Sequence, residues 1–94
     1  MTNLEELIER GLGMTARRRA ASPEAAIYAS LQAQLEYLRD VVAAGERPSE
    51  EKLDRLTLGL YAAREFEASD PEYADVLFEV SYAVNRTEPE PPRY

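Results

Sequence analysis

Apolar side chains recur at intervals of three and four residues along most of the chain, which is the spacing of one face of an α-helix. The most regular series lies in the first half of the sequence and consists of Ile27, Leu31, Leu35, Leu38 and Val42. Similar series precede and follow it. The pattern therefore predicts four helices that pack around a common core.

The second helix is bounded by residues that commonly start and stop helices. Ser22 is predicted as its N-cap, and Pro23 as its first helical residue, where the missing amide of proline is not needed. Gly45 follows the apolar series and is predicted to end the helix, because glycine readily adopts the left-handed conformation found just after a helix.

The first and fourth helices are predicted near the two ends of the domain. The first runs from Asn3 to Arg19, and the basic residues of its last turn suit the negative end of the helix dipole. The fourth begins with Asp70 as the N-cap and Pro71 as the first helical residue. Its inner face is predicted to consist of Tyr73, Leu77, Val80 and Val84.

The third helix is predicted to start at the N-cap Ser49 and to continue without interruption to Ala68. Its apolar residues lie on most of its sides, so we expect it to be covered on most sides and to be the central helix of the bundle. Gly59 lies within this helix and is predicted to allow the backbone of a neighbouring helix to approach closely.

The last eight residues differ from the rest of the chain. Residues 87–94 include three prolines, which lack the amide needed for a helix and restrict the residues before them. The prediction is an all-α fold: a single-domain bundle of about four helices over residues 1–86, followed by an extended, proline-rich tail over residues 87–94.

The composition removes several kinds of chemistry from consideration. The 94 residues include no cysteine and no histidine, so disulfides, thiolate nucleophiles, imidazole bases and sites that bind metal through these side chains are excluded. The sequence has no EF-hand spacing and no glycine-rich phosphate loop. We therefore expect no enzymatic activity, no cofactor, no metal site and no catalytic residues.

The charge is negative and lies mainly in the second half of the chain. The net charge is −7; residues 1–48 carry seven acidic and six basic side chains, and residues 49–94 carry eleven and five. The acidic residues around the fourth helix suggest a patch that binds a basic surface, and a solvated helix face is the alternative. A negative chain also argues against binding to nucleic acid or to an anionic membrane.

Tyrosine is frequent, with six residues in the chain. Tyrosine is favoured at protein interfaces because it combines apolar area with a polar tip. Tyr37 lies away from the main apolar series of its helix and is the better candidate for a contact with a partner. Tyr61, Tyr73 and Tyr82 are expected at the edge of the core, with their hydroxyl groups in water.

Three short motifs follow one another in the second half of the chain: Leu56-Thr57-Leu58-Gly59, then Glu65-Phe66, then Asp70-Pro71-Glu72. In this order, and followed by an aliphatic helix with Tyr82, they resemble a family of small helical immunity proteins. These proteins neutralise an NAD(P)-degrading type VI secretion toxin of pseudomonads. The resemblance covers residues 1–86 and is strongest over 56–85.

The resemblance implies an all-helical protein that binds the catalytic domain of a cognate effector toxin, an NAD(P)⁺ glycohydrolase, and occludes its active site. It identifies no individual contact residue. Because a pocket for a phosphate-bearing substrate is electropositive, acidic and tyrosine side chains are the natural candidates for the contact. The predicted partner-binding residues are Tyr37, Tyr61, Glu65, Asp70, Glu72, Asp75 and Glu79.

A second interpretation is a generic helical adaptor or regulatory subunit without a toxin partner. Such a protein could fold alone or as a homodimer through the apolar sides of the third and fourth helices. In either case a cytoplasmic location is expected, because the N-terminus lacks the basic start and long apolar run of a secretory signal.

Overall fold

The computed structural model describes residues 4–85, and every regular element in this range is helical. In chain order the elements are α1 (Leu4–Ala21), α2 (Ala26–Ala43), α3 (Glu50–Arg55), α4 (Leu58–Tyr61), a π-helical turn (Ala62–Phe66) and α5 (Pro71–Asn85). The prediction of a small all-α domain is confirmed. The predicted tail over residues 87–94 lies outside the described residues, so the boundary at residue 86 stays a prediction.

Helix α1 packs between α2 and α5. Gly11 marks the place where the three helices meet, since a methyl group added there would lie 3.5 Å from side-chain carbons of both Leu35 and Val76. The core contains fully buried side chains from each of these helices, including Ile8, Leu31, Leu35, Leu38, Tyr73, Leu77 and Val80. Burial of these large side chains is the main source of the stability of the fold.

The predicted start of α2 is wrong by three residues, since Ala25 and Ala26 take the places predicted for Ser22 and Pro23. The backbone N–H of Ser22 donates to the carbonyl of Arg18, so Ser22 continues the last turn of α1. Residues 22–25 then form a turn in which the N–H of Ala25 donates to the carbonyl of Ser22 at 3.0 Å. Pro23 occupies the second position of this turn, where its fixed φ is also favourable. Helix α2 therefore starts at Ala26, without a side-chain cap.

The predicted end of α2 is confirmed. Gly45 has a φ of +73°, in the left-handed region that favours glycine. Its N–H donates to the carbonyl of Val42, and the N–H of Glu46 donates to the carbonyl of Val41, both at 3.0 Å. These two bonds form a Schellman motif, which satisfies carbonyl groups that the helix itself leaves without a partner.

The predicted third helix starts where expected but is not continuous. The hydroxyl of Ser49 accepts a hydrogen bond from the N–H of Lys52, as an N-cap should. The chain then becomes extended at Leu56, which separates α3 from α4. The side chain of Gln34 replaces the lost helical bonds: its Oε1 accepts from the N–H of Thr57 at 2.8 Å, and its Nε2 donates to the Thr57 hydroxyl at 2.9 Å.

The prediction that this third helix is central is also wrong. No residue of α3 is buried, and only Leu58 is buried in α4. The π-helical turn contributes Ala62 and Phe66 to the core. Six residues of α5 are buried, so the last helix, packed against α1 and α4, fills the position that the sequence pattern assigns to the third.

Helix α5 forms an antiparallel hairpin with α4 and the π-helical turn. Near the turn of the hairpin, the rings of Phe66 and Tyr73 pack edge to face, with centroids 5.0 Å apart. At its far end, a Cβ placed on Gly59 would lie 3.0 Å from the hydroxyl oxygen of Ser81. Gly59 thus permits a close approach, as predicted, although a side chain rather than backbone is the nearest neighbour. The predicted start at Pro71 and the predicted inner face are confirmed.

Candidate partner-binding surface

The acidic residues predicted on the fourth helix lie on the outer face of α5. Glu72, Asp75 and Glu79 are all exposed, and their spacing places them along one side of the helix. The buried residues Tyr73, Leu77 and Val80 occupy the opposite side. Helix α5 is therefore divided between a face that builds the core and a face that offers carboxylates to the surroundings.

Asp70 is positioned differently from these three acids, because it is bound to another side chain of the same molecule. Arg18 of α1 binds the carboxylate of Asp70 through two nitrogens: Nε donates to Oδ2 at 2.6 Å and Nη2 donates to Oδ1 at 3.1 Å. The same guanidinium donates to the carbonyl of Met14 at 3.1 Å. This pair joins the end of α1 to the start of α5, which gives Asp70 a structural role.

The pairing changes the acidity of both groups. The hydrogen bonds from Arg18, and its positive charge, hold the pKa of the Asp70 carboxyl below its ordinary value, and a bond from the Tyr73 backbone N–H acts in the same direction. The bonds to Asp70 raise the pKa of Arg18 in turn. The carboxylate of Asp70 also serves as the predicted N-cap, since the backbone of Tyr73 belongs to the first turn of α5.

Tyr73 lies inside the molecule, and the prediction that its hydroxyl is in water is wrong. The side chain is fully buried, and its hydroxyl lies 2.6 Å from that of Thr15. Thr15 uses its own hydrogen to reach the carbonyl of Gly11 at 2.8 Å, so Tyr73 is the donor to Thr15. Burial raises the pKa of the Tyr73 hydroxyl above its ordinary value.

Tyr37 borders a shallow groove between α2 and α3. The groove has a volume of about 280 Å³ and is lined by Ala33, Gln34, Tyr37, Lys52, Arg55 and Leu56. The ammonium group of Lys52 lies 5.8 Å from the centre of the Tyr37 ring, within the range of a cation–π contact. The charged side chains that line the groove, Lys52 and Arg55, are both basic, and Arg55 is paired with Glu51 at 3.0 Å.

The two remaining predicted residues, Tyr61 and Glu65, lie in α4 and in the π-helical turn that follows it. Tyr61 ends α4 and is partly buried against the core. Glu65 lies in the π-helical turn and is exposed. The structure thus gathers Glu72, Asp75 and Glu79 on one face, and it places Tyr37 on a separate part of the surface.

Two exposed apolar side chains are not among the residues that the sequence predicted to contact a partner. Leu60 of α4 is 50% exposed and Tyr82 of α5 is 65% exposed, and they are the large hydrophobic residues classed as exposed between residues 4 and 85. A signal for Tyr82 was present in the sequence, because it follows Glu79 by three positions and Asp75 by seven and so shares their face.

The described part of the chain shows neither a metal-binding cluster nor a membrane span. Over residues 4–85, no group of three or more acidic side chains is arranged to hold a metal ion. None of the helices in this range combines the length and the hydropathy needed to cross a lipid bilayer. The described surface offers three features to a partner: the acidic face of α5, the two exposed apolar side chains and the groove at Tyr37.

Comparison with known proteins identifies the family. A family model described as Tsi6 matches residues 3–86. The chain belongs to the Tsi6 family. Among curated proteins, the immune protein Tsi6 of Pseudomonas aeruginosa strain PAO1 is 35% identical over 82 residues, which span 87% of this chain and 86% of that protein. The family resemblance predicted from the three motifs is confirmed.

Solved structures of Tsi6 also match the fold of this chain. The structure of Tse6 in complex with Tsi6 contains a chain that superposes with a TM-score of 0.83 at 34% identity, covering 92% of this chain and 90% of that one. The structure of Tsi6 from Pseudomonas aeruginosa gives a TM-score of 0.82 at 33% identity, with coverages of 93% and 90%. The helical arrangement described above is therefore that of the Tsi6 family.

Proposed function

We propose that this Tsi6-family protein is an immunity protein that binds a cognate effector toxin, an NAD(P)⁺ glycohydrolase, and covers its active site. The observation that carries the proposal is the likeness to Tsi6 along nearly the whole chain, in sequence and in fold, including a structure in which Tsi6 is bound to Tse6. The reaction of the toxin is taken from the motif resemblance, and the geometry of this chain supports the binding role.

The acidic face of α5 supports occlusion of a nucleotide-binding cleft. Such a cleft attracts phosphate groups and is therefore electropositive. Glu72, Asp75 and Glu79 present negative charge along one exposed face, on a helix whose other face is fixed in the core. A rigid acidic surface can compete with the substrate for this cleft and can steer the encounter between the two proteins.

The experiment is co-purification with the protein encoded by the adjacent gene, followed by an assay of NAD(P)⁺ consumption. We expect the neighbouring protein to degrade the dinucleotide alone and to lose this activity when an equimolar amount of the Tsi6-family protein is added. A stable complex whose partner degrades another substrate would keep the immunity role and reject the NAD(P)⁺ reaction. Absence of any complex would contradict the proposed function and favour the adaptor interpretation.

The role of the acidic face is tested by charge reversal. In the double variant Asp75→Lys, Glu79→Lys, we expect association with the toxin to slow by about tenfold or more and to depend less on salt, because steering by opposite charge is lost. The matched control is Glu5→Lys, Glu9→Lys on α1, which makes the same change in net charge with the same spacing. Equal association rates for the two variants would reject the acidic face as the contact.

A further inference from the structure

The outer face of α5 carries aromatic residues among its acids. Asp75, Phe78, Glu79 and Tyr82 occupy positions i, i+3, i+4 and i+7, which together form one side of a helix. Phe78 is partly buried against the core, and Tyr82 is 65% exposed. Most of the surface of the Tyr82 side chain therefore remains in water and is accessible to a partner.

The hairpin brings a second apolar side chain to the same side. Gly59 of α4 packs against Ser81 of α5, and the two segments run antiparallel. Leu60 follows Gly59 and Tyr82 follows Ser81, so each lies one helical step beyond the point of contact. From one residue to the next, the side-chain direction rotates by the same angle about each helix axis. Because the two helices run in opposite directions, this rotation brings both side chains to the same side of the hairpin. Leu60 is 50% exposed there.

These residues resemble the centre and the rim of a protein–protein interface, in which apolar side chains are surrounded by polar ones. Hot spots are enriched in tyrosine and are surrounded by polar residues that exclude water once the complex forms. Here Tyr82 and Leu60 supply the apolar centre, and Asp75 and Glu79 supply charged neighbours. The carboxylates also specify the partner, because they favour a basic surface and disfavour an acidic one.

We infer that Tyr82 and Leu60 are the anchoring contacts of the toxin interface, and that they enter an apolar recess of the partner bordered by basic side chains. The inference rests on the proposed function and names the residues through which it acts. Tyr37, the anchor expected from sequence, is surrounded by Lys52 and Arg55 in the groove between α2 and α3. The charged side chains that line this groove are basic, so it offers a basic partner surface less attraction than the acidic side of the hairpin does.

The test measures the affinity of the full chain for the toxin encoded by the adjacent gene, by isothermal titration or biolayer interferometry. We expect Tyr82→Ala to raise the Kd about 30-fold or more and Leu60→Ala about tenfold, which is the range of well-buried anchors. Tyr82→Phe keeps the ring and should stay within about threefold. The matched control is Tyr37→Ala, which removes a tyrosine from the groove between α2 and α3 and should also stay within about threefold.

The outcomes separate this inference from the proposed function. If the unaltered protein binds no adjacent toxin, the proposed function fails, and the anchors fail with it. If it binds, and Tyr82→Ala and Leu60→Ala bind equally well, the anchors are rejected and the immunity role stands. Because both side chains are exposed, the variants should melt within a few degrees of the unaltered protein; a large fall in melting temperature would contradict the surface role assigned to them.

Discussion

The junction between α1 and α5 and the short helix α3 are both helical, but different interactions hold them. At the junction, bonds join residues far apart in the chain: Arg18 to Asp70, separated by 52 positions, and Thr15 to Tyr73, separated by 58. In α3, the hydroxyl of Ser49 caps Lys52 and Glu51 pairs with Arg55, contacts that span three and four positions.

The difference shows which parts of the chain depend on the whole fold. The α1–α5 junction exists only when the two ends of the domain meet, because its two side-chain pairs, Arg18–Asp70 and Thr15–Tyr73, each join one helix to the other. Helix α3 is held mainly by its own local bonds and by Gln34, with no buried residue. We therefore expect substitutions at the junction to act on global stability, and those in or near α3 to act locally.

The largest expected effect separates the two regions by the burial of a leucine. Leu77 of α5 is fully buried, whereas Leu53 of α3 is only partly buried. Leu77→Ala should lower the free energy of unfolding by about 2–5 kcal/mol, because it removes buried methyl groups and leaves a cavity. Leu53→Ala should cost about 1 kcal/mol or less. Urea denaturation measures both; equal costs would show that α3 is as integral to the core as α5.

Substitution of Gln34 tests how the break between α3 and α4 is attached to α2. Gln34→Ala removes both bonds to Thr57 and leaves a partly buried N–H without its partner, so we expect a loss of about 1–2 kcal/mol. Hydrogen exchange should accelerate at residues 56–58 more than in α5. The control is Gln32→Ala on the same helix, whose bonds reach Arg19 and Glu36. If exchange rises equally in both variants, Gln34 does not hold the break.

The pH dependence of the folding stability tests the contribution of Asp70 to the α1–α5 junction. Asp70→Asn keeps a capping oxygen but loses the charge, and should cost about 1 kcal/mol at neutral pH. Since Arg18 lowers the pKa of Asp70 below 3.8 in the folded state, the stabilisation is present above that value and disappears as the pH falls through the lowered pKa. The urea midpoints of the two proteins should therefore converge as the pH falls through that lowered pKa. A constant difference at all pH values would contradict this account.

The smallest effect is expected from Tyr73→Phe. The hydroxyl of Thr15 still donates to Gly11 in this variant, so only one hydrogen bond is lost, at a cost of about 0.5–1 kcal/mol. Burial raises the pKa of Tyr73 above 10.0, so the unaltered protein loses stability as the pH rises past that value. Phenylalanine does not titrate. The difference in melting temperature should shrink between pH 9 and pH 11, and a difference that grows would reject the assignment.

The sequence predicted those parts of the fold that depend on local chemistry. Gly45 ends α2 because glycine adopts the left-handed conformation without a steric penalty, and Pro71 starts α5 because its fixed φ and missing amide suit the first helical position. The buried face of α5 followed from its spacing alone. The three motifs identified the family, because their order over residues 56–72 is more specific than any one of them.

The errors in the fold share a cause, which is that a residue outside the local pattern changed a local preference. The break at Leu56 is stabilised by Gln34, more than twenty positions away, and nothing in Leu56 or Thr57 signals it. Ser22 and Pro23 suit a turn as well as a helix start, and the carbonyl of Arg18 decides between them. For the site, the sequence pattern marks Asp70 as a helix cap and a candidate contact but does not indicate its bond to Arg18, and only exposure distinguishes Tyr82 from Tyr73.

The sequence separation of the Arg18–Asp70 pair has a consequence for the order of events during synthesis. Helix α1 is made first and has α2 as its next neighbour in the chain, but its partners in α5, namely Asp70, Tyr73 and Val76, are among the last described residues to leave the ribosome. Contacts between distant parts of a chain must wait for the loop between them to close. We therefore expect a nascent chain that stops before residue 70 to leave α1 unpaired with α5 and open to proteases, and protection to begin only once α5 is complete.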